Sequence, residues 1–328
     1  MKSEKRIVSH GKFQNFQKRY GYIPAGDKSD NHIIKSRMLQ GVYRNESFEN
    51  FYCNYITGED RSVNFMRNTL LLEDAMQELS QIKSRLRLTD ERRLLTNLLS
   101  SQPLAFNLFL PMRWDNYKIA TTAFQLLFPQ LKIDLITDIK LEYVPGDEKN
   151  PREITIDNSC FDVYVEYQNT QNERCGMGIE VKYTESFSNT DFSKAGDKRD
   201  RYTKAISKYS KQFSEANTEL YLTPKFNQLF RNQLLTEEVK DKQNGISNCV
   251  LLVLYSSGDT KCTKAINQFE QLLINPSSFI PVTIESLIQA VINSATSNKE
   301  MEQLYLDIYN RYCNYALLQE YFEEPCDE

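Results

Sequence analysis

Two short stretches of alternating polarity, joined by a polar turn, constrain this chain more than any other feature. In Phe161-Asp162-Val163-Tyr164-Val165-Glu166-Tyr167, and again in Met177-Gly178-Ile179-Glu180-Val181-Lys182-Tyr183, the pattern repeats every second residue. That is the period of a strand with one face in a core. Residues 169–176 between them are polar and turn-forming, so the pair predicts an antiparallel hairpin. Its midpoint near Gln171 sets Asp162 opposite Glu180. Directly opposed residues have Cβ atoms about 4.5–5.5 Å apart, and a diagonal pair such as Asp162 and Lys182 lies about 7–8 Å apart. Phe161, Val163 and Val165 are expected on one face and Asp162 on the other. In the second strand Met177, Ile179, Val181 and Tyr183 share the apolar face, and Glu180 and Lys182 point oppositely.

The surroundings read as a layered α/β protein. Residues 1–60 are polar and poorly periodic, an extended arm or loop-rich cap. From 63 to 99 apolar residues recur at helical spacing (Met66, Leu70, Leu71, Met76, Leu79, Ile82, Leu86). After a turn at 100–103 and an apolar segment at 104–111, Asp115 is the expected N-cap of a helix that Pro129 stops near Phe128. Ile133, Leu135, Ile139, Leu141 and Tyr143 then mark a long strand. Charged helices are expected at about 195–213 and 225–240, a strand buried on both faces at 249–255, and helices at 264–273, 284–294 and 300–322. The fold class is therefore α/β, a mixed central sheet flanked by helices with helical additions at both ends. The expected division is a polar arm with helices at 1–99, a core at 100–295, and a C-terminal helix at 296–328 that packs on the core. The stripe Leu304, Ile308, Tyr312, Tyr315 and Phe322 suits core packing or a homodimer contact.

Composition narrows the chemistry. Only two histidines occur, His10 and His32, so a histidine-based triad or zinc site would have to be built from the first tenth of the chain. No G-x-x-x-x-G-K-[ST] or G-x-G-x-x-G loop is present to cradle a nucleotide. The 7 cysteines are scattered, without a C-x-x-C pair. No apolar run reaches the roughly 18–20 residues of a membrane helix, and Met1-Lys2-Ser3-Glu4-Lys5-Arg6 does not open a secretory signal. A cytoplasmic protein without membrane partners is the expectation. A net charge of −4 argues against a wholly basic coat but leaves room for a basic groove. Chemistry is left to carboxylates, lysine and a hard metal ion. Two carboxylates at hairpin separation can share one Mg²⁺, with a lysine on the same face in reach of a water or a phosphate oxygen. The competing reading is an exposed hairpin whose acids and lysine serve solubility and cross-strand pairing.

Asp162 followed, after a hairpin, by Glu180-Val181-Lys182 resembles the D…E-x-K signature of the PD-(D/E)XK nuclease superfamily, the restriction-endonuclease-like fold. The order of helix, strands, helix and buried strand is similar to that family's core. Residues 101–109 (Ser-Gln-Pro-Leu-Ala-Phe-Asn-Leu-Phe) and 228–232 (Gln-Leu-Phe-Arg-Asn) resemble motifs of a bacterial branch described mainly as restriction endonucleases. The resemblance spans about 100–279. It implies Mg²⁺, with Mn²⁺ as an alternative, held by Asp162, Glu180 and the Val181 carbonyl, with Lys182 orienting the water. Phe161 stands where the family often has proline. E-x-K recurs at Glu238-Val239-Lys240, in a helical stretch with no acid-bearing strand opposite.

Glu142, Gln228 and Arg231 are candidate supporting residues: Glu142 as a further metal ligand, the other two as phosphate contacts one helical turn apart. Gln102 could equally be a buried structural amide, and Glu185 is expected on the opposite face. Lys198, Arg201, Lys204, Lys208 and Lys211 form a basic stretch after the hairpin that suits a nucleic-acid backbone or a merely solvated face. The expected activity is Mg²⁺-dependent hydrolysis of DNA, double-stranded by preference, in restriction or defence. Alternatives are a nucleic-acid-binding scaffold without cleavage, or an RNase or repair nuclease using the same residues.

Overall fold

A computed structural model describes residues 10–24, 31–47, 51–57, 62–66, 69–85, 91–146, 155–157, 159–188, 190–194 and 196–322. Leu86, the 1–6 segment and Ala195, all part of the expectations above, lie outside the described residues. The strands are β1 (Phe51–Tyr52), β2 (Tyr55–Ile56), β3 (Ile133–Tyr143), β4 (Phe161–Asn169), β5 (Arg174–Lys182), β6 (Asn248–Tyr255) and β7 (Phe279–Thr283). The α-helices are α1 (His10–Tyr20), α2 (Asn31–Ser47), α3 (Thr69–Arg85), α4 (Glu91–Thr96), α5 (Ser101–Phe109), α6 (Lys118–Leu127), α7 (Asp197–Lys208), α8 (Thr218–Tyr221), α9 (Asn227–Lys242), α10 (Thr260–Glu270), α11 (Ile284–Ser294) and α12 (Lys299–Tyr312).

The central sheet runs β3-β4-β5-β6-β7. The first three strands are an antiparallel meander, to which β6 and then β7 add in parallel. This is the mixed sheet flanked by helices expected of the restriction-endonuclease-like fold. One face carries Val163, Val165, Met177, Ile179 and Val181 against α5, α6, α11 and α12; the other carries Tyr164, Leu251 and Val253 against α7, α9 and α10. β6 contributes to both layers, which is why its sequence is continuously apolar. Among the described residues, no helix is long and apolar enough to cross a membrane.

The hairpin register is the expected one. Val163 pairs with Ile179 and Tyr164 with Gly178, so the next step along β4 brings Asp162 beside Glu180. On the other side Leu141 pairs with Val163 and Tyr143 with Phe161, which brackets Glu142 against Asp162. Alternation, however, breaks at this point. Leu141 and Val163 face one core layer, whereas Tyr143 and Phe161, two residues away, face the other. Glu142 takes a left-handed backbone (φ 46°), and this lets β3 change face there. The expectation that Phe161 would share a face with Val163 is thus corrected. Its ring lies over Gly178, and that of Tyr164 over Gly176: a Cβ on Gly178 would come 2.2 Å from Phe161 Cε1, and one on Gly176 would come 2.1 Å from Tyr164 Oη. The two glycines make the groove that the aromatic rings fill.

Other departures have local causes. Register shifts in β3 between Ile133 and Leu135, and between Ile136 and Asp138, bury Ile136 and leave Leu135 partly exposed. Within 1–60 the described residues of α1 and α2 are helical rather than an extended arm, and they bring Phe16, Ile34, Met38 and Val42 against Leu318 and Tyr321. Asp115 does accept the N–H of Ile119 (3.1 Å), but from a left-handed run 115–117, so α6 starts only at Lys118. The basic helix ends at Lys208 rather than near 213, because Tyr209 leaves helical geometry and Phe213 pairs with Leu273. The C-terminal helix stops at Tyr312, and a 3-10 turn follows at Tyr315–Tyr321. β7, short and interrupted by Pro281, escaped the period-two reading.

The glycine groove gives a direct test. Gly178→Ala is expected to lower the free energy of urea unfolding by roughly 1–3 kcal/mol through overpacking. Gly11→Ala in α1, where a new Cβ meets nothing within 4 Å, should not lower it.

Candidate active site

Three neighbouring strands bring three carboxylates into one place. Glu142 is at the end of β3, Asp162 near the start of β4, and Glu180 near the end of β5. Asp162 Oδ2 accepts the backbone N–H of Val181 at 2.7 Å, tying β4 to β5 through the residue between Glu180 and Lys182. The Val181 side chain itself is in the core. Glu180 Oε1 accepts from Lys182 Nζ at 2.9 Å and from Gln228 Nε2 at 2.6 Å, and its Oε2 accepts from Asn232 Nδ2. Gln228 Oε1 in turn accepts from Lys182 Nζ at 3.1 Å and from the Ser188 N–H at 3.0 Å. Lys182 Nζ also lies 5.2 Å from the centre of the Phe187 ring. Gln228 and Asn232 are one turn apart on α9, so a single helix face grips both oxygens of Glu180.

Burial and like charge set the electrostatics. Burial, reinforced by the charges of Glu180 and Glu142, pushes the Asp162 carboxyl well above its ordinary value. Burial and the Glu180 charge raise Glu142, against the amide of Gln102, which donates to Glu142 Oε1 at 3.0 Å. Burial by itself would lower Lys182, but Glu180 and Asp162 together hold it above the usual lysine value, so it is an ammonium. Burial and the three acids raise the Cys160 thiol well above its ordinary value, so no thiolate nucleophile is available there.

This donor set suits a hard divalent cation: oxygen ligands on rigid strands whose mutual repulsion such a charge removes. Among the described residues, no three acidic, cysteine or histidine side chains are already drawn to ligand spacing about one point. Glu180 is instead turned onto its own lysine and the two α9 amides.

Asp162, Glu180, Lys182, Glu142 and Gln228 therefore come together. Arg231 stands one turn further along α9, outside this cluster, against Asp157 and Ser159. The basic residues of α7 share the α9 layer of the sheet but do not join the acid cluster. Lys198 rests over the Phe192 ring (5.2 Å), Arg201 donates to the Ile156 carbonyl (3.2 Å), Lys204 is exposed and Lys208 pairs with Asp241. Lys211 lies beyond the end of α7 (Asp197–Lys208), so of the basic stretch only Arg201, Lys204 and Lys208 can share one helical face. Asn232 was missed, although its spacing from Gln228 was a usable signal. Glu185, expected on the opposite face, follows the end of β5 and folds back to accept the Ser101 N–H (2.7 Å) and Arg93 Nη2 (2.6 Å). His32 Nε2 donates to the Tyr183 carbonyl (2.7 Å) and is no part of the acid cluster.

Comparison with known proteins adds one finding. The family model of the PD-(D/E)XK nuclease superfamily matches residues 28–314. No curated protein and no solved structure matches the chain at the significance required.

The half-buried acids Asp162 and Glu142 make stability depend on pH. Asp162 and Glu142 titrate higher in the folded than in the unfolded chain, so protonation favours the fold. Their contribution is fully present below the ordinary carboxylate value of about 4 and is lost as pH rises through the raised values. Without divalent ions, Asp162→Asn is therefore expected to be more stable than wild type at neutral pH. The difference should shrink towards about pH 4 in urea titrations.

Proposed function

The chain belongs to the PD-(D/E)XK nuclease superfamily, and on that footing we propose that it is a Mg²⁺-dependent endonuclease hydrolysing phosphodiester bonds of DNA, in restriction or defence. The observation that carries this reading is the buried Glu180–Lys182 pair beside Asp162, held by Gln228 and Asn232. A solvated hairpin face would leave these groups in water; here Glu180 and Lys182 are 4% and 6% exposed.

In this reading Asp162 and Glu180 hold the ion, with the Val181 carbonyl and Glu142 as further oxygen donors and Mn²⁺ as an alternative occupant. A divalent ion, when bound, supplies charge neutralisation and a more acidic water. Lys182, obliged to remain charged by its acidic neighbours, positions the attacking water and offers positive charge to the phosphate as negative charge builds on it. Gln228 keeps Lys182 and Glu180 in register, since its amide bonds both. Lys198, Arg201, Lys204 and Lys208, with Lys211 beyond them, attract the polynucleotide backbone, and Arg231 contacts a phosphate. The nuclease core is taken as 100–295, with 1–99 and 296–328 as additions that brace it. Double-stranded DNA as substrate, a cytoplasmic setting and a homodimer remain parts of this proposal.

Incubation with plasmid, single-stranded DNA and RNA tests it. Wild type should cut DNA with Mg²⁺ and not with EDTA. Glu180→Gln and Asp162→Asn should abolish cutting with the fold intact, and Lys182→Ala should slow it by roughly 10²–10³-fold. Undiminished Mg²⁺-dependent cleavage by Glu180→Gln would refute the site, and cleavage of RNA alone would move the substrate. Lys204→Glu with Lys208→Glu should weaken DNA binding and flatten its dependence on salt; unchanged affinity at low salt would take the binding surface off α7.

A further inference from the structure

Asp157, outside the acid cluster, is held the way a bound phosphate is held. It lies ahead of β4, against α7 and α9. Tyr202 Oη, from α7, donates to its Oδ2, and the Ser159 N–H donates to its Oδ1 at 2.7 Å. Arg231 Nη1, from α9, is 3.5 Å from Asp157 Oδ2 and 3.4 Å from Ser159 Oγ. Burial would raise the Asp157 carboxyl, but Ser159, Tyr202 and Arg231 more than offset this and keep it below its ordinary value. It is an anion at neutral pH.

Arg231 is only loosely engaged by this anion. Both contacts are at the outer limit of a hydrogen bond, and its buried Nε has no hydrogen-bond partner among the described residues. Its guanidinium lies 5.6 Å from the centre of the Phe192 ring, which Lys198 Nζ approaches at 5.2 Å. A hydroxyl, a backbone N–H and a guanidinium thus gather around a single carboxylate. Such donors favour phosphate, whose oxygens suit the planar arginine fork and accept more bonds than a carboxylate can. The place is also right. Arg231 is one turn from Gln228, which bonds Glu180 and Lys182.

We propose that Tyr202, Arg231 and Ser159 form a subsite for a backbone phosphate of the nucleic acid, and that Asp157 occupies it until a phosphate displaces it. The inference rests on the nuclease reading and adds to it a built-in competitor: an acid near the active site that opposes binding instead of serving catalysis. Displacement makes and breaks no covalent bond.

Two readouts on the full chain, both without divalent ions, test it. The first is affinity for a labelled oligonucleotide duplex. Asp157→Asn keeps an oxygen for the Ser159 N–H and removes the charge, and should tighten binding roughly fivefold, the worth of one like charge about 4 Å away in water. Arg231→Ala should weaken it about tenfold, and the double variant should bind like Arg231→Ala alone, since the competitor matters only while the subsite exists. The second is the rise in melting temperature with added pyrophosphate, which should be larger in Asp157→Asn than in wild type and absent in Arg231→Ala. Unchanged or weaker duplex binding by Asp157→Asn, with no gain from pyrophosphate, overturns the subsite. A wild type that neither binds nor cuts any polynucleotide refutes the nuclease reading instead, and the pyrophosphate series still decides whether the subsite exists.

Discussion

Placing a half-buried Asp162 between Glu142 and Glu180 is the constraint around which this molecule is arranged. Like charges on adjacent strands repel, and burial intensifies the repulsion. The structure tolerates it because each acid is engaged from a different direction: Glu142 by Gln102 of α5, Asp162 by the Val181 N–H, and Glu180 by Lys182 and two amides of α9. Three separate parts of the chain therefore converge on one patch of the sheet. The repulsion left over, most of it at Asp162, costs stability, and in the proposed function a divalent cation would relieve it.

The rest of the fold holds the strand ends still. Val181 anchors β5 in the apolar layer while its neighbours Glu180 and Lys182 stand on the polar side. Tyr183, next in sequence, is fastened twice by α2: His32 meets its carbonyl, and Gln40 Nε2 lies 3.1 Å from its hydroxyl. Glu185 then ties the chain to the start of α5 through the Ser101 N–H, and to α4 through Arg93. The N-terminal helices thus brace the segment that carries the lysine. One buried core also joins Phe65 to residues as late as Cys313, so the additions at the two ends share packing with the sheet.

The hairpin and its acids were legible because two local signals agreed: a period of two on either side of a polar turn, and a register fixed by the turn's midpoint. α11, expected at 284–294, runs from Ile284 to Ser294, a helix with a strong apolar stripe and a Thr283 cap. What stayed hidden depends on tertiary context. The switch of Tyr143 and Phe161 to the opposite face requires the left-handed Glu142 and the groove over Gly176 and Gly178, and neither is visible in an alternation count. α1 and α2 bury few large side chains among many Asn, Lys and Arg, and only their contact with Leu318 and Tyr321 reveals the apolar face. Asn232 joins the site by sharing a helix face with Gln228, and Glu185 reaches Ser101 and Arg93 because the chain bends where β5 ends.

Direct titration of the metal tests the central claim without depending on which nucleic acid is cut. Mn²⁺ binding to the purified protein, followed by electron paramagnetic resonance in the absence of nucleic acid, should show protein-bound ion for wild type and for Lys182→Ala. Glu180→Gln and Asp162→Asn should each lose it. Identical Mn²⁺ binding by wild type and both carboxylate variants would contradict the account, because the ion would then be held somewhere other than the three-strand acid cluster.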